Sequence, residues 1–409
     1  AKILLKCKRT GEDIPANWKA AAAALKRKDA QRYDALLKGL LYKNKEIKLS
    51  KKETREILDA KSCSPSRIEK YINCPFAYFI QYGLKAEEPV DFSISPLDSG
   101  NIYHQILDRL SRYLSSDGKP ARDKDSLWQR LPDSEIESFV IKTAEEIKNE
   151  DPRGLYTKGF EEEYRSGRIA KTAVSLAQHM VSQVRQGNID KIYTEQNFKF
   201  DFAGIQIHGK IDRLDSTKLE DGEYIKIVDY KTSTATSFNK DLIEKGKAVQ
   251  LMLYLEAAMA NAETGGASTQ AKPVGIFYFT IEKDQTESLL EELDIVSDAM
   301  AEKIAKEYKL DGAYSTNEKA FATLDKDAKA LQSNKSAVLT MSPARGLSEE
   351  DFANLRQTFK ENFARSVAKL QMGDVSVKPS RYKESSACKF CKFNSICKFD
   401  LQIEGCKYD

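Results

Sequence analysis

The sequence predicts an α/β protein, and three patterns support this. Residues 205–212 alternate apolar and polar side chains, 220–223 supply a turn, and 224–231 follow as a second strand, which together predict a β-hairpin. An uninterrupted apolar run at 274–281 predicts a buried strand. Longer stretches before and after these strands repeat their apolar residues every three or four positions, which is typical of amphipathic helices.

Length and composition set the class of protein. The chain has 409 residues, so about 150 residues per domain predicts two to three domains. Hydrophobic residues make up 41%, charged residues 31%, and mean hydropathy is −0.54. These values exclude a wholly disordered chain, and no stretch approaches the roughly 18 apolar residues of a membrane span. The short apolar start runs straight into basic residues, so we predict no secretory signal, and Ala1 in place of Met suggests a piece of a longer protein.

The N-terminal segment is basic although the whole chain carries a net charge of only +3. Residues 1–60 are predicted to be helical, and residues 1–52 contain 15 Lys and Arg against 5 Asp and Glu. Such a run is usually a solvated face. The alternative is a surface that faces the phosphates of a nucleic acid.

Two helices are predicted before the first strand pair. Ser64 and Pro65 suit the start of one helix, and Pro75 should break or kink it. A second helix, from about Asp98 to Leu114, has one apolar stripe. His104 lies roughly 130° around the helix from the centre of that stripe, so we do not expect it to pack in the core with the apolar face of this helix.

The remaining chain is predicted to be mostly helical. Charged helices are expected over 120–190, and a helix that is apolar almost all round is expected over 250–260. A flexible loop should follow at 261–272 because it is rich in Gly, Ser and Thr. Two more helices are predicted near 286–308 and 348–371.

Two acidic residues and a lysine mark the predicted hairpin. Asp229 and Lys231 lie two apart on a strand, so both side chains leave the same face. Asp212 ends the neighbouring strand, and a pair of carboxylates placed side by side can hold Mg²⁺ or Mn²⁺. Lys231 is then placed to orient a water or to stabilise charge on a phosphate. A surface Asp–Lys pair is the alternative.

Further polar residues are expected near this point. Gln250 and Tyr254 are four apart on a helix that is otherwise apolar, so they share one face that needs a polar partner. His104 offers an imidazole ligand. His208, on the same strand face as Asp212, competes with His104 by geometry alone. The remaining polar candidates are expected to be structural: His179 packed or solvated, and Asp215 on the surface or in a turn.

These residues resemble a known family. The patterns G-x-x-x-H (Gly100, His104), G-x-I-D (Gly209, Asp212), D-Y-K (Asp229 to Lys231) and Q-x-x-x-Y (Gln250, Tyr254) occur in the order found in the RecB-type branch of the PD-(D/E)XK nucleases. The resemblance implies a restriction-endonuclease-like core, in which helices flank a mixed central sheet. It also implies metal binding by His104, Asp212, Asp229 and the carbonyl of Tyr230. Lys231 would be catalytic, with Gln250 and Tyr254 positioning DNA.

The cysteines extend the resemblance. Cys388, Cys391 and Cys397 lie close together near the end of the chain, while Cys74 precedes the nuclease motifs. One cysteine before the core and three after it resemble the iron–sulfur nucleases, which implies a [4Fe–4S] cluster that staples the domain. Zinc is the alternative for any four-cysteine set, although paired C-x-x-C motifs would suit it better. The remaining cysteines have no place in the pattern: Cys7, Cys63 and Cys406.

Among such nucleases, the long helical stretches resemble the nuclease part of an AddAB-type helicase–nuclease more than a compact Cas4-like protein. The motif at 66–85 and the C-terminal C-K-F-C-K-F-N-S-I-C-K-F-D support this. Residues 1–60 would be a remnant of an upstream helicase-like region. Residues 61–409 would be an iron–sulfur nuclease domain, with helical insertions at about 120–190 and 286–371.

The resemblance also implies a function. It implies a Mg²⁺-dependent DNA exonuclease that resects double-strand breaks in the bacterial cytoplasm for recombinational repair. It would act on the 5′-ended strand, bind DNA ends and single strands, and pair with a helicase–nuclease subunit of the AddA type. The alternatives are a DNA-end-binding iron–sulfur module with an inactive nuclease core, and a stand-alone Cas4-like nuclease.

Overall fold

A computed structural model of the chain describes most of its residues: 3, 7, 10–40, 42–58, 61–86, 96–151, 160–232, 237–264, 271–281 and 308–409. The chain divides into two compact units. The first, here the cysteine unit, comprises Ala1–Leu58, Lys70–Ala86 and Lys369–Asp409. The second, here the sheet unit, comprises Asp59–Glu69 and Glu87–Ala368. The predicted division at residue 60 stays a prediction.

The described helices follow the chain in this order: α1 Ala16–Lys28, α2 Ala30–Leu40, α3 Lys51–Glu53, α4 Pro65–Asn73, α5 Pro75–Tyr78, α6 Pro96–Leu114, α7 Leu127–Arg130, α8 Asp133–Glu150, α9 Phe160–Gln186, α10 Lys240–Glu244, α11 Gln250–Thr264, α12 Glu318–Leu324, α13 Ala328–Ser333, α14 Glu349–Gln371 and α15 Asn394–Cys397. Two five-residue π-helical turns cover Thr54–Leu58 and Phe79–Gly83. The described strands are β1 Ser62–Cys63, β2 Lys191–Phe202, β3 Ile205–Leu219, β4 Gly222–Lys231, β5 Ala271–Thr280, β6 Asp311–Ser315, β7 Gly346–Leu347, β8 Arg381–Tyr382 and β9 Ser385–Ser386.

The sheet unit is built on one mixed sheet. Its strand order is β1-β3-β4-β5-β6-β7, and β2 pairs with β3 outside this path. The pairs β2–β3, β3–β4 and β5–β6 are antiparallel, whereas β1–β3, β4–β5 and β6–β7 are parallel. The predicted α/β class with a mixed sheet is therefore confirmed. The predicted hairpin corresponds to β3 and β4, and the predicted buried strand to β5.

Helices cover the sheet with their apolar faces. The predicted stripe of α6 is buried, and α6 joins one core with α8, α9 and side chains from β4 and β5. Helix α11 packs against β4 and β5, and almost all of its apolar side chains are buried. Fully burying one Leu or Ile contributes about 1.5–3 kcal/mol, so these faces fix where the polar positions of α6 and α11 point.

Several local predictions can be compared with the described residues. Helix α4 ends at Asn73 and α5 begins at Pro75, so the proline separates two helices as expected. The predicted loop at 261–272 was too long, because 261–264 belong to α11 and 271–272 to β5, while 265–270 lie outside the described residues. Nearly all of the predicted helix near 286–308 also lies outside them. Within the part of the chain that the structure describes, no helix combines the length and apolar character required to span a bilayer.

Candidate active site

Asp212 and Asp229 face each other across β3 and β4. The antiparallel register pairs Arg213 with Val228, so the next opposite positions are those of the two aspartates. Opposite positions on neighbouring strands place their side chains on the same face, about 5 Å apart at Cβ. Asp212 Oδ2 also accepts a hydrogen bond of 2.9 Å from the backbone N–H of Tyr230, which holds the carboxylate at the end of β4.

His104 of α6 reaches the same point. Its Nδ1 lies 3.7 Å from Asp212 Oδ2 and 3.6 Å from Glu195 Oε1. Gly100 lets α6 approach the end of β4, because a Cβ there would lie 2.9 Å from Thr232 Cγ2. Burial opposes the charged imidazolium, but Glu195 and Asp212 outweigh burial and raise the pKa of His104. The surroundings of the ring therefore favour positive charge.

Glu195 belongs to this cluster, although no sequence pattern singled it out. Among the described residues, His104, Glu195 and Asp212 form the group whose ligand atoms all lie within 4.8 Å of one another. In the β2–β3 register, Thr194 pairs with Arg213 and Gln196 with Ile211, so Glu195 stands opposite Asp212. Three acidic residues thus occupy one level of three neighbouring strands. The tight Ala203–Gly204 turn sets this β2–β3 register, so recognising the turn in the sequence would have placed Glu195 opposite Asp212.

A hydrogen-bonded network fixes Asp229 and Lys231. Lys231 Nζ lies 2.5 Å from Asp229 Oδ2 and donates to Gln250 Oε1 at 2.6 Å. Gln250 Nε2 donates to Asp229 Oδ1 at 2.9 Å and contacts the Tyr254 hydroxyl at 2.8 Å. The polar face predicted for α11 therefore meets the D-Y-K strand, and each of these side chains is held by at least one of the others.

Burial strongly disfavours the charge on Asp229. It raises the pKa of Asp229 to about 8; the Asp212 charge adds to this shift, and Lys231 opposes it. An added positive charge between the two aspartates would stabilise both carboxylates in their ionised form.

Glu69 of α4 is a second acid that no sequence pattern singled out. Burial raises the pKa of its carboxyl to about 7. Lys231 and the backbone N–H of Val249 act against this shift, and Asp229 adds to it. The carboxyl of Glu69 therefore interacts electrostatically with both Asp229 and Lys231 of the D-Y-K strand.

The expectation for Asp215 was wrong. Asp215 is 2% exposed and binds two buried cations: Arg213 Nη2 at 2.7 Å and Lys226 Nζ at 2.5 Å. Burial opposes its ionisation, but the two cations outweigh burial and lower the pKa of Asp215. This buried ion cluster lies on β3 and β4, directly beyond the two aspartates of the site.

The other two histidines, His208 and His179, have different hydrogen-bond partners from His104. His208 is exposed, and its Nδ1 lies 2.9 Å from Ser62 Oγ. His179 lies on α9, where Nδ1 is 2.7 Å from the carbonyl of Ser175 and the ring packs on Tyr308. The group around Asp212 contains neither of them.

The four cysteines of the predicted cluster line one small cavity of the cysteine unit. Cys74 lies between α4 and α5, and the other three, Cys388, Cys391 and Cys397, come from the C-terminal segment. Burial raises the pKa of Cys388 to about 11, with a contribution from each of the other three thiols. The remaining cysteines of the sequence, Cys7, Cys63 and Cys406, do not line this cavity.

The chain is similar in sequence to proteins of known family. The sequence profile of the PD-(D/E)XK nuclease superfamily matches residues 62–398, which is most of the chain. The chain belongs to the PD-(D/E)XK nuclease superfamily. The family's name gives the order acid, acid, any residue, lysine, and Asp212 with Asp229-x-Lys231 follows that order.

Curated relatives share one name, which describes a subunit of an ATP-dependent helicase/deoxyribonuclease. The protein of Clostridioides difficile strain 630 is 29% identical over 397 residues, which are 91% of this chain and 33% of that protein. The protein of Thermoanaerobacter sp. strain X514 is 29% identical over 395 residues, and that of Clostridium perfringens strain SM101 is 26% identical over 410 residues. The chain therefore spans about a third of the length of these relatives.

Proposed function

We propose that this PD-(D/E)XK chain is a metal-dependent deoxyribonuclease and acts as the nuclease part of an AddAB-type helicase–nuclease. The observation that carries the proposal is the convergence of Asp212, Asp229, Glu195 and His104 beside the Lys231 ammonium. The names of the relatives support DNA as the substrate and a helicase partner of the AddA type. The finer predictions, which are exonuclease action on the 5′-ended strand, repair of double-strand breaks and a cytoplasmic location, are part of this proposal.

The donor set fits a hard divalent cation. Carboxylate oxygens of Asp212, Asp229 and Glu195 are the ligands that Mg²⁺ and Mn²⁺ prefer, and His104 supplies one nitrogen. By resemblance, the Tyr230 carbonyl is a further ligand. When bound, such a cation neutralises the scissile phosphate and acidifies a water molecule. The elevated pKa of Asp229 agrees with a pocket that binds added positive charge.

Lys231 is the residue placed for the chemical step. Gln250 Oε1 and Asp229 hold its ammonium at 2.6 and 2.5 Å, so the side chain is oriented before substrate binds. From there it can donate to the attacking water or to a phosphate oxygen on which negative charge develops. Gln250 also bonds Asp229 and Tyr254, so it keeps acid and lysine in one geometry.

The test is Lys231→Ala, measured on a fluorescent single-stranded oligonucleotide in Mg²⁺. We expect cleavage to fall by at least about a hundredfold, the usual loss when one preorganised donor is removed, while binding of the oligonucleotide is retained. Lys272→Ala is the matched control, because Lys272 pairs with Asp221 on another part of the sheet.

Unchanged cleavage by Lys231→Ala would reject the assignment. If the unmodified chain bound DNA with neither Mg²⁺- nor Mn²⁺-dependent cleavage, it would be a binding module with an inactive nuclease core.

We further propose that Cys74, Cys388, Cys391 and Cys397 hold a [4Fe–4S] cluster, for which four thiolates are the usual ligands. The structure describes all four residues, which line one cavity, yet no three of their sulfurs form a group within 4.8 Å of one another. In a tetrahedral zinc site the sulfurs would be only about 3.8 Å apart, since each lies about 2.3 Å from zinc. The wider arrangement favours a group larger than one ion.

Purification without oxygen tests this assignment. The protein should be brown, with iron and acid-labile sulfide in equal amounts, and Cys74→Ser should lose the colour. Cys406→Ser should keep it, because Cys406 does not line the cavity. A colourless protein with stoichiometric zinc would contradict the assignment.

A further inference from the structure

We propose that a groove between α6 and β2 binds the single-stranded DNA that leads to the scissile phosphate. This inference rests on the proposed nuclease function and deepens it, since it assigns a substrate-binding surface. The groove is an open cavity of about 460 Å³, lined by the end of α6, by Ser115 directly after it and by β2: Ser111, Arg112, Ser115, Ile192, Tyr193, Thr194, Glu195, Gln196 and Asn197. Glu195 therefore belongs both to the groove and to the group around Asp212.

One polar face of α6 runs from His104 into the groove. His104, Asp108, Arg112 and Ser115, which directly follows α6, are spaced by four, four and three residues, so they share the side of α6 away from its apolar stripe. Ser111 also lines the groove, but it is buried and its hydroxyl donates to Met180 Sδ. At 1.5 Å per residue, this face extends about 16 Å from His104 to Ser115. A stacked strand rises about 3.4 Å per nucleotide, so the face matches four to five nucleotides.

The other wall is the first half of β2. Tyr193 has 39% of its surface exposed, although it is a large hydrophobic residue, and Gln196 and Asn197 are also exposed. Thr194 Oγ1 donates to Asp108 Oδ1 at 2.5 Å, and this bond joins β2 to α6 along the groove. The two walls are therefore fixed relative to each other within the sheet unit.

The chemistry of the lining suits one strand of DNA. The Arg112 side chain is 68% exposed, and its Nε lies 3.0 Å from Asp108, which orients the guanidinium while leaving it accessible to a phosphate. The exposed ring of Tyr193 offers a stacking surface for a base, and the exposed side-chain amides of Gln196 and Asn197 are donors for phosphate and sugar oxygens. The cavity is too small for a duplex, so we commit to a single strand.

Arg112→Ala and Tyr193→Ala test the groove. Binding of a fluorescent twelve-nucleotide thymidylate strand is measured by anisotropy with Lys231→Ala as the background, which prevents cleavage. Arg112→Ala should lower the slope of log affinity against log salt by about 0.7, the value for one phosphate contact on single strands. Tyr193→Ala should weaken binding by about 5- to 150-fold, the range for loss of one stacked base.

Matched controls lie elsewhere on the sheet unit. Arg365 and Tyr164 are an exposed arginine and an exposed tyrosine of α14 and α9, and their alanine variants should bind like the background protein. Ultraviolet crosslinking of an iodouracil-containing strand, mapped by mass spectrometry, should place the adduct on β2 at or next to Tyr193.

The outcomes separate the two proposals. If the unmodified chain cleaves the strand but Arg112→Ala and Tyr193→Ala bind and cleave as it does, the groove assignment is wrong and the nuclease assignment stands. Adducts confined to residues outside α6 and β2 would equally overturn the groove. A chain that binds through Tyr193 and Arg112 without any cleavage keeps the groove and rejects the nuclease. Tighter binding of duplex than of single strand through these residues would reject the single-strand occupant.

Discussion

At the residue scale, Glu195 shows how the site is assembled against local preference. Its φ of +48° lies in the left-handed region, which is unusual for a residue other than glycine and is out of place in a strand. Such a conformation costs about 1–3 kcal/mol. Here it accompanies a carboxylate that lies beside both His104 and Asp212, and Lys210 Nζ is 3.4 Å away on its other side. Backbone strain at this position is consistent with a metal-binding role.

Glu195→Gly separates strain from function. Glycine adopts positive φ without a steric penalty, so the free energy of unfolding should stay the same or rise by about 1 kcal/mol. Loss of the carboxylate should weaken Mn²⁺ binding by at least about tenfold. Chemical denaturation and titration calorimetry measure the two effects, with Glu220→Gly in the exposed β3–β4 turn as the control. Unchanged Mn²⁺ affinity would remove Glu195 from the site.

Residues of the site differ in how far the sequence alone could predict their positions. The shared faces of Asp229 with Lys231, and of Gln250 with Tyr254, could be predicted because strand and helix periodicity place each pair on one face. The position of Glu195 could not be predicted, because it depends on pairing with β3 and on an unusual φ. The surface expectation for Asp215 was wrong because its cations come from β3 itself and from β4, and only the folded hairpin brings both to one carboxylate.

At the element scale, the β3–β4 hairpin carries both the site and a buried ion cluster. Arg213, Asp215 and Lys226 are each no more than 3% exposed, so their charges depend on one another rather than on water. Removing one member of such a cluster leaves a buried charge without compensation, which is much more costly than the loss of a surface pair. The cluster begins one residue beyond Asp212, so we expect it to stabilise the strand pair that holds the two aspartates.

Asp215→Asn should lower the free energy of unfolding by about 3–5 kcal/mol, because two buried cations would lose the carboxylate that now neutralises them. Asp221→Asn, in the same hairpin but at the partly exposed pair with Lys272, should have a much smaller effect on the free energy of unfolding. Denaturant titrations of both variants measure the difference. Equal and small effects would show that the cluster contributes little to the hairpin.

Elements with a local signal were predictable, and those that depend on distant pairing were not. The hairpin, β5, α6 and α11 each follow from their own periodicity. The two-residue strands β1 and β7 have no such signal: Ser62 pairs with Gln206 and Tyr314 with Gly346, which only tertiary contacts bring together. The four-cysteine cavity followed from a family pattern rather than from periodicity.

At the scale of the whole molecule, the charge is unevenly distributed. The chain is nearly neutral, yet α1 ends in Lys26, Arg27 and Lys28, has no acidic residue in its first turn and buries none of its residues. A solvated face remains the simplest interpretation of such a helix. Since the family acts on nucleic acid, contact with phosphates is the alternative that a measurement can decide.

Replacing Lys19, Lys26, Arg27 and Lys28 by glutamine tests this alternative. If all four contact phosphates, the slope of log affinity against log salt for single-stranded DNA should decrease in magnitude by about 3. Thermal unfolding should be unchanged, since these residues are solvent-exposed. An unaltered salt dependence would leave α1 as a solvated helix.

Asp212 and Asp229 are proposed to hold one divalent cation together with His104 and Glu195, beside Lys231. Anomalous diffraction from crystals soaked in Mn²⁺ would locate that cation. We expect one strong peak between the two aspartates, within about 2.0–2.4 Å of their nearest oxygens, and we expect Asp212→Asn to abolish it. Crystals with no peak at that position, or with Mn²⁺ bound only elsewhere in the sheet unit, would contradict it.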